Sequence, residues 1–211
     1  MNIHDLYGRV SPWFRRRRLR RLQALFGEMD NVLDVGGYPW CWTDPGLARE
    51  KITLLNVALS PDVRAVAAGF VLVEGDGCAL PFSHGEFDVV FSNSVIEHVG
   101  TWERQQAFAR EARRVGRRLW IQTPAREFFI EPHLIAPFIH WLPRGWQRRL
   151  IRNCTVRGWL DRPDPRAVEA FLDEVRLLTF AEMKLLFPDC TILRERFLGL
   201  TKSYIAVRPP S

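Results

Sequence analysis

The stretch Asn31-Val32-Leu33-Asp34-Val35-Gly36-Gly37 constrains the fold of this chain more than any other. Val32, Leu33 and Val35 form a short apolar run of the kind shown by a strand buried on both faces. Asp34 interrupts that run, where an unpartnered carboxylate is costly to bury, and two residues without β-carbons follow at once. In an open α/β sheet the carboxyl end of the first strand is where the chain reverses and ligands bind. A carboxylate and two glycines there suit a ligand that carries positive charge and lies against the backbone. The plainer alternative is a tight turn that happens to contain an Asp.

The rest of the chain repeats the same kind of unit. Ile52 to Val57, Phe70 to Val73, Phe87 to Phe91 and Leu119 to Thr123 read as further strands. Trp102 to Val115 reads as an amphipathic helix with Ala107, Phe108, Ala112 and Val115 facing inward. Strands alternating with helical segments predict βαβ units, a mostly parallel doubly wound sheet and helices on both faces. Residues 165–175 and 179–187 read as helices, and Thr191 to Phe197 and Ser203 to Val207 as β-runs joined by Leu198-Gly199-Leu200. That connection is short enough for an antiparallel hairpin at one sheet edge. The 211 residues suit a single domain, 1–211, with a basic helical arm over 1–29 and an insertion over 124–162 after the fifth strand.

Charge and cysteine usage narrow the class. Residues 1–25 hold seven arginines and one acid, which accounts for the net charge of +6, so the body is close to neutral. A chain that grips nucleic acid would spread basic residues over a face, and nucleic acid is therefore the least favoured partner. The arm reads either as a solvated first helix or as a contact for lipid head groups or phosphates. Cys41, Cys78, Cys154 and Cys190 show no pairing by spacing and predict reduced thiols. With no membrane-length apolar run and no signal core, the expectation is a cytoplasmic protein, with at most a peripheral membrane contact.

With these pieces placed, the chain resembles the class I S-adenosylmethionine-dependent methyltransferases, small-molecule branch, and residues 122–143 look like a bacterial subgroup of them. Val32 to Gly37 resembles that family's first motif; Gly75-Asp76-Gly77-Cys78 with Leu80-Pro81-Phe82 resembles the motif after strand three. Phe87-Asp-Val-Val-Phe-Ser-Asn-Ser-Val-Ile-Glu-His98 resembles the fourth-strand motif. The resemblance implies a Rossmann-like sheet and S-adenosylmethionine as cofactor. It implies that Asp34 holds the cofactor's ammonium, directly or through water, and that Gly36 and Gly37 admit its close approach. It also implies that Asp76 accepts from the adenine amino group beside Gly77, with Cys78 lining the adenine slot. Ser92 and Asn93 would border the methionine end. The sequence departs from the family where its glycine-rich loop has Tyr38 and Trp40, which either cap a sulfonium with aromatic surface or block it. Asn56 stands where an acid usually takes the ribose hydroxyls, so weaker binding is expected.

Methyl transfer is an in-line displacement favoured by near-attack positioning, and a base is needed only for an acceptor protonated at neutral pH. His98 is the first candidate and Glu131 with His133, stiffened by Pro132, the second; the alternative is that these groups only tether loops. Glu97-His98 also resembles part of a metal-binding helix in quinone-pathway O-methyltransferases, but Ser94 stands where a further carboxylate is wanted, so no metal is expected. From Pro132 to Leu160 there are five arginines and no acid, with Phe138, Trp141, Trp146 and Trp159 interspersed. This insertion reads either as an interfacial surface for a lipid-linked acceptor or as a helical cap whose aromatics are core. The expected function is methyl transfer to a small or lipid-linked acceptor. The alternatives are a catalytically inactive binding module of the same fold and a membrane-surface adaptor.

Overall fold

The computed structural model describes residues 17–42 and 48–209. The helix start expected at Ser11-Pro12 and most of the arginine arm lie outside the described residues, but the helix itself continues as α1 over 17–26. There follow β1 (Val32–Val35), β2 (Ile52–Asn56), α2 (Pro61–Val66), β3 (Val71–Glu74), β4 (Phe87–Asn93), α3 (Trp102–Val115) and β5 (Gly116–Pro124). The chain then forms β6 (Ile130–Glu131), β7 (Ala136–Pro137), α4 (Arg144–Cys154), α5 (Val156–Asp161), α6 (Pro165–Glu174), α7 (Phe180–Leu186), β8 (Thr191–Phe197) and β9 (Leu200–Arg208).

Seven strands make one sheet in the order β3-β2-β1-β4-β5-β9-β8. β1 to β5 are mutually parallel, while β9 runs antiparallel to both β5 and β8. The expected Rossmann-like architecture with its antiparallel edge hairpin is therefore present. Strand order reverses between β1 and β4, which pair directly with Asp34 opposite Phe91 and Val35 opposite Ser92. In open sheets of this kind the carboxyl ends of the two strands at such a reversal form the switch point where ligands bind.

Boundaries moved where packing overrode local pattern. β5 begins at Gly116 rather than Leu119, because Gly116 pairs with Phe87 and a Cβ there would come within 2.6 Å of Val90. β9 begins at Leu200, since Leu198 and Gly199 take φ of 49° and 81° and close the hairpin by themselves.

Each face of the sheet has its own core. Leu33, Val35, Val90 and Leu119 pack with Phe108 and Ala112 of α3 and Met183 and Leu186 of α7. On the opposite face Leu54, Phe91 and Trp120 pack with Leu19, Leu22 and Phe26 of α1. Each fully buried large side chain contributes roughly 1.5–3 kcal/mol, so the apolar stripe of α1 is bound to the sheet. Arg18, on that helix, is 7% exposed and bonds Glu195 at 2.6 Å, Asn93 Oδ1 at 2.8 Å and Gln122 Oε1 at 2.9 Å. One residue of the basic arm is thus a buried tie between α1 and strands β4, β5 and β8.

The insertion packs on aliphatic residues, Leu134, Ala136, Ile139 and Ile151, with Val168 from α6. Phe138, Trp141, Trp146 and Trp159 are between 46% and 59% exposed, so the reading in which these aromatics form the core of the cap does not hold. Among the described residues no helix is long and apolar enough to cross a membrane.

Candidate active site

The loop after β1 is built around Asp34. Its carboxylate is 2% exposed, and Oδ2 accepts a hydrogen bond of 2.7 Å from the Trp42 indole Nε1. Asn56, at the end of β2, donates from Nδ2 to the Gly37 carbonyl at 2.7 Å. A Cβ on Gly37 would lie 2.1 Å from the Asp34 carboxylate carbon, and Gly36 has a φ of 76°, so both positions require glycine. Asp34 and Asn56 therefore tie the loop internally, a use that the residue types alone did not disclose. Tyr38 and Trp40 stack with their ring centroids 4.5 Å apart and remain 38% and 52% exposed.

The neighbouring strands bring further residues to the same end of the sheet. A Cβ on Gly77 would meet Phe108 at 2.9 Å and Val35 at 3.0 Å, which places the loop after β3 hard against β1. Asp76 accepts from the Cys78 amide at 2.9 Å and from Arg104 at 2.9 Å. The backbone amide first, and the Arg104 guanidinium after it, hold the Asp76 carboxyl below the usual range. Burial, together with the Asp76 charge, pushes the Cys78 thiol up to about 11, so at neutral pH it is a thiol and not a thiolate nucleophile. Ser92 is fully buried and donates to the Val35 carbonyl at 3.0 Å, fastening β4 to β1. Asn93 differs, since its Oδ1 is engaged by Arg18 from the α1 side.

A second cluster forms beyond β4. Ser94, with φ 59°, turns the chain into a short 3₁₀ helix, Ile96–His98. Glu97 is fully buried; its Oε2 accepts from Thr123 Oγ1 at 2.9 Å, at the end of β5, while its Oε1 is buried with no hydrogen-bond partner. His98 Nδ1 lies 2.9 Å from Glu174 Oε1 on α6. β5 leads into the insertion, where Glu131, 2% exposed, lies 2.7 Å from His133 Nδ1 and accepts from the Leu134 amide. The His98 and His133 rings meet edge to face with centroids 4.7 Å apart. Burial pulls the His133 pKa down, but the Glu131 hydrogen bond and the charges of Glu131 and Glu97 outweigh it and leave it above the ordinary value.

His98, Glu131 and His133, proposed from separate stretches, are thus one cluster. Next to it a cavity of about 480 Å³ is lined by Arg126, Glu131, His140, Arg144, Gln147 and Arg176 among others. Sequence reasoning missed Trp42, Thr123, Glu174 and Arg18. None belongs to a short motif, and only the tertiary fold brings each to its partner.

The family model for a methyltransferase domain matches residues 42–118. No curated protein matches the chain. Among solved structures, the N-terminal domain of EvdMO1 with SAH bound is 17% identical, with a TM-score of 0.55 over 93% of this chain and 81% of that one. The Burkholderia thailandensis 1,6-didemethyltoxoflavin-N1-methyltransferase, bound to its 1,6-didemethyltoxoflavin and S-adenosylhomocysteine, is 15% identical, with a TM-score of 0.57 over 93% and 78%. A SAM-dependent methyltransferase of Thermotoga maritima, a possible histamine N-methyltransferase, is 14% identical, with a TM-score of 0.56 over 98% and 93%.

Proposed function

We propose that this chain is a class I S-adenosylmethionine-dependent methyltransferase and that it methylates a small or lipid-linked acceptor by in-line displacement. The observation that carries this reading is the arrangement of two clusters around the β1–β4 switch point: a glycine turn with acidic and aromatic neighbours, and a histidine–carboxylate group.

The residues of the first cluster fit the cofactor. A glycine turn in which no Cβ has room gives a backbone surface for a ligand to lie on. Asp76, with its side chain 41% exposed, can accept from an adenine amino group, and the exposed Tyr38–Trp40 pair offers ring faces to a sulfonium. Asp34 acts on the ligand by holding the loop through Trp42, and Asn56 does so through Gly37. The cofactor, when bound, supplies a methyl group on a positively charged sulfur.

On the acceptor side, Glu174 and Glu131 each engage a Nδ1, which leaves Nε2 as the nitrogen able to take the acceptor's proton. The neighbouring cavity suits an acceptor of modest size. The lipid-linked end of that range is supported by the exposed aromatics of the insertion beside Arg149 and Arg152, also exposed.

Calorimetry with S-adenosylhomocysteine tests the cofactor half of the reading. Binding to the wild-type chain that is lost in Asp34→Ala supports it; no heat and no thermal shift at millimolar ligand would overturn it. A screen of cell extract with methyl-labelled cofactor then finds the acceptor. Sedimentation with anionic vesicles at low and high salt tests the lipid surface, and its absence at low salt would remove that part.

A further inference from the structure

We propose that Glu97, His98 and His133 form a binding site for a divalent transition-metal ion of the zinc type. Each offers one ligand atom, and these atoms lie within 4.8 Å of one another. Ligand bonds of about 2.0–2.1 Å to tetrahedral zinc put the donors roughly 3.3 Å apart, so side-chain adjustments alone would close the triangle.

An independent observation points to the same place. Glu97 is fully buried and its Oε1 has no hydrogen-bond partner among the described residues. A buried carboxylate oxygen without a partner costs stability, and such an orphan in a native fold calls for an explanation. Thr123 satisfies only the other oxygen.

The outer contacts also have the form that metal sites use. A ligating histidine usually gives its second nitrogen to a carboxylate, which fixes the tautomer and raises ligand basicity. Both rings do so here, His98 through Glu174 and His133 through Glu131, and Glu131 is itself held by the Leu134 amide. Two imidazoles and one carboxylate select a transition metal over magnesium or calcium, which prefer all-oxygen sites. Three protein ligands leave a tetrahedral ion one open position.

The third donor is the part that sequence could not supply. Glu97 and His98 are neighbours in the turn after β4, whereas His133 comes from the insertion after β5. The inference rests on the side chains alone and goes beyond the methyl-transfer reading. With an ion bound, the two imidazoles would serve as ligands in place of bases, and the open position would be free to take water or an oxygen donor.

The test uses the full chain without a histidine tag, stripped with EDTA and titrated with cobalt(II) under visible absorption, then with zinc in equilibrium dialysis. One equivalent of cobalt with tetrahedral ligand-field bands and no sulfur charge-transfer band is expected. Zinc affinity is expected to fall by more than about 100-fold in Glu97→Gln and in His133→Asn, and by about 10-fold in the outer variant Glu131→Gln. Circular dichroism shows that each variant is folded, and S-adenosylhomocysteine calorimetry on the same samples reads the cofactor site separately. Uptake unchanged in folded Glu97→Gln and His133→Asn, no uptake by the wild-type chain, or a thiolate band placing cobalt on a cysteine would each overturn the proposal.

Discussion

Asp34 and Glu97 are two buried carboxylates at the same end of adjacent strands, and the sheet treats them differently. Asp34 sits near the end of strand β1 with the Trp42 indole on one oxygen, and none of its oxygens is orphaned. Glu97 sits just past β4 with Thr123 on one oxygen and nothing on the other. Burying a charge is tolerated when its lone pairs are used. Where they are used inside the fold, as at Asp34, the residue builds the site. Where one is left over, as at Glu97, the carboxylate keeps an acceptor that no described residue uses.

The comparison can be broken most forcefully at Asp34. Asp34→Ala should abolish S-adenosylhomocysteine binding in calorimetry. It should also cost about 1–3 kcal/mol of stability, because the Trp42 donor loses its acceptor inside the protein. Gly37→Ala attacks the same tie sterically, since the new Cβ would lie 2.1 Å from the Asp34 carboxylate carbon. Chemical denaturation should show a loss of about 1–3 kcal/mol. Gly145→Ala, on a helix with open space around that position, should be neutral or stabilise by up to about 1 kcal/mol.

Glu97 should respond with the opposite sign. In metal-free buffer, Glu97→Gln removes a buried charge while keeping an acceptor for Thr123, and its melting temperature should rise by a few degrees, roughly 2–4 °C per kcal/mol gained. Asp34→Asn, by the same exchange, should lower it. Equal shifts in both variants would erase the distinction between the two carboxylates.

The smallest effect concerns a third partly buried charge, Lys202 on β9. Burial first, and the Arg18 charge second, lower its pKa from 10.5 to about 8. Between those values the unfolded chain binds more protons than the folded one, so this group makes stability rise with pH through that window. The slope it adds should be less than about 1.4 kcal/mol per pH unit, and Lys202→Met should flatten it in urea titrations at stepped pH.

How much of this was legible in the sequence depended on the range of the interaction. The strands, the amphipathic α3 and the edge hairpin announce themselves by periodicity and turn residues, which act over a few positions. The glycine turn after β1 was legible for the same reason. Arg18 was not: amid a run of arginines nothing marks the one that is buried. The aromatics of the insertion had two readings, and only the aliphatic core beneath them, Leu134 to Val168, removed the one in which they are core.

The alternation of strands and helices and the glycine turn after β1 were therefore determined by the sequence itself, through hydrophobic pattern and the absence of side chains at Gly36 and Gly37, while the order of the strands in the sheet came only with the fold. Which carboxylate would be satisfied and which left wanting was decided only in three dimensions. Trp42 reaches Asp34 from its own loop, whereas the histidine that completes the Glu97 cluster arrives from a different part of the chain. Local pattern records how a segment folds on itself; it holds no record of which distant side chain will be packed against it.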